Sequence, residues 1–237
     1  MNLIKKIWTE KDIKDFSKYL KSFSKGEEKG IWEQRIVNTK IPCIAVPSDI
    51  VKKIIKEISK GNFISFIDCF PWNNHTETII VGNLICNIKN FETFKFYLDK
   101  YSNKIDNWAS CDSLKFTIKE ENKKLFFNLA QEYIKKDKPF VRRIGLLILF
   151  KLIKDKEFLD KIFDTLNMFY QEKEYYVNMM LSWILCECFI QHREKTLNYL
   201  KNHNLNSFVI NKGISKCRDS FRVNKEDKEL LLKFKVK

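Results

Sequence analysis

PSDIVKKIIKEISK, residues 47–60, is the stretch that decides the fold. Ile50, Val51, Ile54, Ile55 and Ile58 recur at spacings of one, three and four, and lysines fill the opposite side. That is the 3.6-residue period of an amphipathic helix, opened here by Pro47. The period returns along the chain. DIKDFSKYLKSF (12–23) sets Ile13, Phe16, Tyr19, Leu20 and Phe23 on one stripe, and FETFKFYLDKY (91–101), KKLFFNLAQEYIKK (123–136) and KEFLDKIFDTLNMF (156–169) repeat the pattern. No segment alternates apolar and polar residues long enough to make a strand. IVNTKIPCIAV (36–46) and FVIN (208–211) come nearest, and both read as loops or parts of helices.

Only six Gly and four Pro punctuate the chain, so short helices follow one another with little linker. Succession and size fit antiparallel helix pairs of the HEAT and armadillo class, and they fit a plain helical bundle as well. No internal identity and no low-complexity linker divides the sequence. A single all-α domain over 1–237 is therefore expected.

The 237 residues are 44% hydrophobic, enough for a substantial core. Forty-four Lys and Arg against 30 Asp and Glu give a net charge of +14, which points first to polyanionic partners. The seven cysteines, at 43, 69, 86, 111, 186, 188 and 217, include no CxxC, and their apolar surroundings suit reduced thiols in a reducing cytoplasm. The start, MNLIKKIWTEKDIKDF, carries charges throughout and does not read as a signal peptide. The longest apolar run, IGLLILF (144–150), is far short of the ~20 residues a membrane span needs, so no membrane association is expected.

Five stretches are candidates for chemistry. In IDNWASCDSLKF (105–116), Trp108 and Asp112 stand four apart, one above the other if the whole segment is helical, with Asp106 or Asn107 as cap. Spacing alone also fits a core tryptophan and a surface aspartate. In KPFVRRIGLLILFKLIK (138–154), Arg142 and Arg143 follow Pro139 in the opening turns of a helix. The helix dipole opposes cations there, so a carboxylate or a bound phosphate must hold them. EYYVNMMLSWILCECF (174–189) reads as a mostly buried helix that includes Trp183. FPWNNHTETIIVGNLI (70–85) crowds His75 and Glu77 at a helix start; the lone His has no second ligand at metal spacing nearby, and Glu77 reads as a helix-end or inter-helix salt bridge. ISKCRDSFRVNKEDKELL (214–231) spaces Lys216, Arg218 and Arg222 for one helix face, a basic clasp for phosphates or an ordinary solvated helix. No P-loop, GxGxxG, HExxH or nucleophile elbow occurs.

Taken in order, WNNHTET, NWASCDS, FVRRIGLLILFKL, YYVNMMLSWILCE and ISKCRDSFRV resemble the AlkD-like family of DNA alkylation repair proteins. The resemblance is clearest from about 64 to 223 and vaguer before 45. It implies HEAT-like repeats in a curved solenoid whose concave, basic groove cradles double-stranded DNA. It also implies hydrolysis of the N-glycosidic bond of N3- and N7-alkylated purines, with no metal, no cofactor and no base flipping, in contrast to most glycosylases. By position, the family's tryptophan–carboxylate element falls on Trp108 and Asp112, its second aromatic on Trp183 and its backbone-contacting arginine on Arg143. Arg142, Lys216, Arg218 and Arg222 are the further DNA-contact candidates. A third lesion-contacting aromatic does not align securely; Trp32 lies close, and Gln34 is the other occupant. Asp112, Trp108, Trp183 and Arg143 are expected to line one concave surface of a monomer. A non-catalytic DNA-binding protein of the same fold, which recognises DNA structure or damage, is the alternative, and retention of Asp112 favours the enzyme.

Overall fold

The computed structural model describes residues 1–69 and 71–236. Among these residues the fold is all-α, with fourteen α-helices and no strand, consistent with a HEAT-like succession of helices. No helix among them is long and apolar enough to cross a membrane. The chain divides into two compact units, Met1–Thr117 and Ile118–Lys237.

Unit 1 holds α1 (Glu10–Lys21), α2 (Glu27–Val37), α3 (Ser48–Ile58), α4 (Phe63–Asp68), α5 (His75–Ile85), α6 (Phe91–Ser102) and α7 (Trp108–Asp112). The amphipathic stripes of α1 and α3 bury Ile13, Phe16 and Leu20, and Val51, Ile54 and Ile58. The centre is α5, which buries nine of its eleven residues and packs against α3, α4, α6 and α7. Its sequence explains this: after Glu77, TIIVGNLI carries no charge and can be enclosed on nearly all sides. Gly82 is required within it. A Cβ there would lie 2.6 Å from the Tyr101 hydroxyl, so the missing side chain lets the fully buried Tyr101 of α6 cross α5. The hydroxyl then donates to the Ser110 carbonyl of α7 at 3.0 Å. Burial of a ring of this kind contributes about 2–3 kcal/mol, and here it also anchors the α7 turn.

The helix expected over 105–116 is reduced to the five residues of α7. Beyond Asp112 the chain changes period: Leu114 and Phe116 are buried while Lys115 and Thr117 are exposed. Alternation of this kind is an extended backbone laying every second side chain on the core. Residues 38–47 are irregular, and FVIN lies inside a helix, both as read from the sequence.

Unit 2 holds α8 (Lys123–Tyr133), α9 (Pro139–Leu152), α10 (Lys156–Asn167), α11 (Tyr175–Gln191), α12 (Arg193–Lys201), α13 (Ser207–Asp219) and α14 (Lys225–Leu232). A one-turn 3-10 helix, Glu120–Asn122, leads into α8. The apolar α9 and α11 form the centre: α9 packs on α8, α10 and α11, and α11 also packs on α12 and α13. Pro139 begins α9 at a position where a missing N–H costs nothing.

Candidate nucleic-acid interface

In unit 1 the Trp108–Asp112 turn is built from its cap outward. Asn107 is fully buried, and its side-chain oxygen accepts from the Ser110 backbone N–H at 2.8 Å. Its amide nitrogen donates to Asp106 Oδ1 at 3.1 Å. Asp106 in turn straps the preceding loop, accepting from the Thr39 hydroxyl and, at 2.8 Å, from the Lys40 N–H. Burial pushes the Asp106 carboxyl up, but these hydrogen bonds outweigh it and hold the group below its ordinary value. Trp108 is half-buried, and its indole Nε1 donates to the Ile36 carbonyl at the end of α2 at 3.4 Å. Asp112, one turn further on, is exposed. The pair is therefore brought together, with the indole fixed at its nitrogen and the carboxylate at the surface. Trp32 and Ile36, one turn apart on α2, are also exposed, Trp32 by 62%.

In unit 2, Trp183 departs from the reading of α11 as an enclosed helix. It is 51% exposed, although Leu181, Ser182, Ile184 and Leu185 around it are buried. The Lys216 ammonium lies 4.3 Å from its ring centroid, a cation–π contact from α13. Trp183, Glu187, Lys216 and Arg222 line one open pocket, floored by Phe150 and Cys186. Desolvation there holds the Lys216 amine below its usual range. Arg222 does not share a helix face with Lys216 and Arg218, because α13 ends at Asp219. From the following turn it forks onto Glu187, at 3.1 Å to Oε1 and 2.6 Å to Oε2. Burial raises the Glu187 carboxyl, and the hydrogen bonds from Arg222 and Gln191 more than offset that, so it stays below its ordinary value. Arg218 lies in the last turn of α13 and is exposed.

Of the two arginines at the start of α9, Arg142 finds the expected carboxylate within the protein, whereas Arg143 is held by a backbone carbonyl. Arg142 binds Glu172 at 3.1 Å and donates to the Lys136 and Asp137 carbonyls. Arg143 is 5% exposed and donates to the Tyr176 carbonyl. Glu77, expected in a salt bridge, is fully buried and accepts from the Ser17 hydroxyl at 2.6 Å and the Asn73 N–H at 2.8 Å, tying the start of α5 to α1.

A thiol, an imidazole and a carboxylate distant in sequence also meet in unit 1. His75 Nδ1 lies 3.0 Å from Glu33 Oε1, and Glu33 Oε2 accepts from the Ala45 N–H at 3.0 Å. Cys43 completes a group whose ligand-capable N, O and S atoms all lie within 4.8 Å of one another. Burial, then the Glu33 and Asp106 carboxylates, push the Cys43 thiol up to about 12. None of the seven cysteines is in a disulfide.

Comparison with known families matches residues 4–217 to a family described as DNA alkylation repair enzyme. The chain belongs to the DNA alkylation repair enzyme family. The match spans both units and includes Trp108, Asp112, Arg142, Arg143, Trp183 and Lys216; Arg218 and Arg222 lie just past its end. No individually curated protein matches the chain. Membership in the family makes DNA repair the role and DNA the partner, and it gives the net charge of +14 its physical sense.

Proposed function

We propose that this chain is a monofunctional DNA glycosylase that hydrolyses the N-glycosidic bond of N3- and N7-alkylated purines in duplex DNA without flipping the base. The observation that carries the reading is the capped α7 turn, which holds an indole in place and leaves the Asp112 carboxylate at the surface one turn away. Alkylation puts a positive charge on the purine, so the base leaves as a neutral molecule and needs little help from an acid. Its departure leaves an oxocarbenium-like sugar. Asp112 stabilises that charge and orients or deprotonates the attacking water. The faces of Trp108 and Trp183 attract the cationic lesion or sugar and exclude bulk water. Lys216, Arg218 and Arg222 supply phosphate contacts. Arg143 and Arg142 contribute positive field from where they stand, held by the carbonyls and the carboxylate they bind.

In this reading the whole chain is one functional domain, a monomer with a basic groove for duplex DNA, acting in the cytoplasm without a metal or cofactor in the reaction. The test is release of 7-methylguanine and 3-methyladenine from methylated duplex DNA, in EDTA, by wild type and Asp112→Asn. Release by wild type, with a slow variant that binds DNA equally well, supports the enzyme. Salt-sensitive DNA binding by both proteins with no release by either favours the non-catalytic DNA binder of the same fold.

A further inference from the structure

The group formed by Glu33, Cys43 and His75 is not used by the proposed reaction and comes from three separate parts of unit 1: α2, the irregular 38–47 segment and the first residue of α5. Three donors of different type, a thiol, an imidazole and a carboxylate, lie within 4.8 Å of one another. The His75 side chain is 5% exposed, and its Nε2 is buried with no hydrogen-bond partner among the described residues. Nδ1 faces Glu33 at 3.0 Å. A nitrogen and a carboxylate oxygen 3.0 Å apart stand at the separation of two ligands of one ion, so a cation held by Nδ1 and Glu33 would replace this contact and leave Nε2 to carry the ring N–H.

The backbone is shaped to bring the thiol in. Gly30 of α2 lies against the loop so closely that a Cβ there would be 2.4 Å from the Cys43 carbonyl oxygen. Ala45 holds a left-handed backbone conformation, φ +50°, and is fixed by its N–H on Glu33 and by its carbonyl, which accepts from the Lys25 N–H at 3.2 Å. The Pro42 carbonyl accepts from the His75 N–H at 2.8 Å. Glu33 and His75 also line an open pocket with Ser48, Lys52, Ser113 and Lys115, so the pair can be reached from solvent, from which a remaining coordination position would be filled.

A Cys–His–Glu set also resembles a nucleophilic triad. That reading needs the thiol hydrogen-bonded to the imidazole, whereas the Cys43 S–H donates to the Ile41 carbonyl at 3.7 Å and Nε2 has no partner among the described residues.

We propose that Glu33, Cys43 and His75 bind one borderline-soft divalent cation of the Zn²⁺ class, which clamps the 38–47 segment between α2 and α5 as a structural site. On binding, the Cys43 S–H bond breaks, its proton passes to solvent and an S–metal bond forms; nothing is oxidised or reduced. One thiolate and one carboxylate neutralise the two charges of the ion. Mixed S, N and O donors favour Zn²⁺ over Mg²⁺ or Ca²⁺, which prefer oxygen alone.

The test uses the full chain after EDTA treatment and dialysis. Co²⁺ is titrated as an optical probe, then Zn²⁺ by calorimetry, with Cys43→Ser and His75→Gln beside wild type. The expected result is one equivalent bound, a thiolate-to-Co²⁺ charge-transfer band absent from Cys43→Ser, and affinity weakened by about tenfold or more in each variant. In a measurement that needs no variant, Zn²⁺ should slow alkylation of Cys43 by about tenfold or more, read by peptide mass spectrometry against the other six cysteines. Absence of a thiolate band, a band unchanged in Cys43→Ser, or unprotected Cys43 at saturating Zn²⁺ would each overturn the proposal. None of these readouts depends on glycosylase activity.

Discussion

Replacing Asn107 with Ala removes the side chain that starts the α7 turn. The cap to the Ser110 N–H at 2.8 Å is lost, which costs about 1 kcal/mol. The amide that donates to the Asp106 carboxylate at 3.1 Å is lost too, and a hydrogen bond to a charged group is worth about 1.5 kcal/mol or more. Asn107 is completely enclosed, so water cannot readily replace either bond. The expected destabilisation is about 2–3 kcal/mol. Asn107→Ser, which keeps a capping oxygen and loses only the amide donor, should recover about 1 kcal/mol of it. Urea unfolding followed by circular dichroism gives the global value, and hydrogen exchange at the Ser110 amide gives the local one. Because α7 also presents Asp112, base release from methylated DNA should fall about tenfold or more in Asn107→Ala at a urea-free temperature where the chain stays folded. A loss of stability below about 0.5 kcal/mol, or an unchanged Ser110 exchange rate, would refute the view that this cap holds the turn.

Other perturbations follow from the same geometry. Asp12 closes the α1 capping box and binds Lys5 at 2.7 Å, and its carboxyl is lowered to about 2 by hydrogen bonds from Lys5 and Thr9. A depressed carboxyl contributes stability above its unfolded value near 4 and loses it as pH falls through about 2, so Asp12→Asn should be less stable than wild type at pH 6 and indistinguishable from it below pH 2 in parallel urea titrations. Trp183→Ala removes an indole that is half in solvent, and should change unfolding free energy by no more than about 1 kcal/mol while weakening binding or turnover of methylated duplex; a large stability loss with normal DNA work would make the residue structural. Gly82→Ala puts a methyl 2.6 Å from the Tyr101 hydroxyl and should destabilise the protein by about 1–3 kcal/mol, with Tyr101→Phe partly relieving the clash in the double variant.

The 3.6-residue period made the helices of both units legible, because α1, α3 and α10 each bury one stripe and leave lysines outside. It failed where burial is not one-sided. In α11 nearly every residue is apolar, so nothing in the sequence distinguishes the exposed Trp183 from its enclosed neighbours. The end of α7 carried a signal that a period-two reading of SLKFT finds, since Leu114 and Phe116 alternate with Lys115 and Thr117. Asn107 as cap was legible from its type and place. The partners of Arg142, Arg222 and His75 were not. Glu172, Glu187 and the Glu33–Cys43 pair sit at sequence distances of 30 to 42 residues, and only packing brings them to their charges or donors. The order of the short motifs, rather than any one of them, carried the family.

The ammonium poised over an exposed ring in α13 and α11 also gives the protein an optical handle of its own. Indole emission shifts with solvent exposure and is quenched by nearby charge and by stacked bases, so Lys216→Met should alter the emission of the free protein, and a polyanion that draws the lysine away should alter it in the same sense. Trp8 is enclosed in the core of unit 1 and contributes a constant background, whereas Trp32 is as open as Trp183 and Trp72 and Trp108 are half-buried, so these three have to be replaced by Phe before the signal is assigned. With those three changes, engagement of unit 2 by DNA can be followed in real time without attaching a dye.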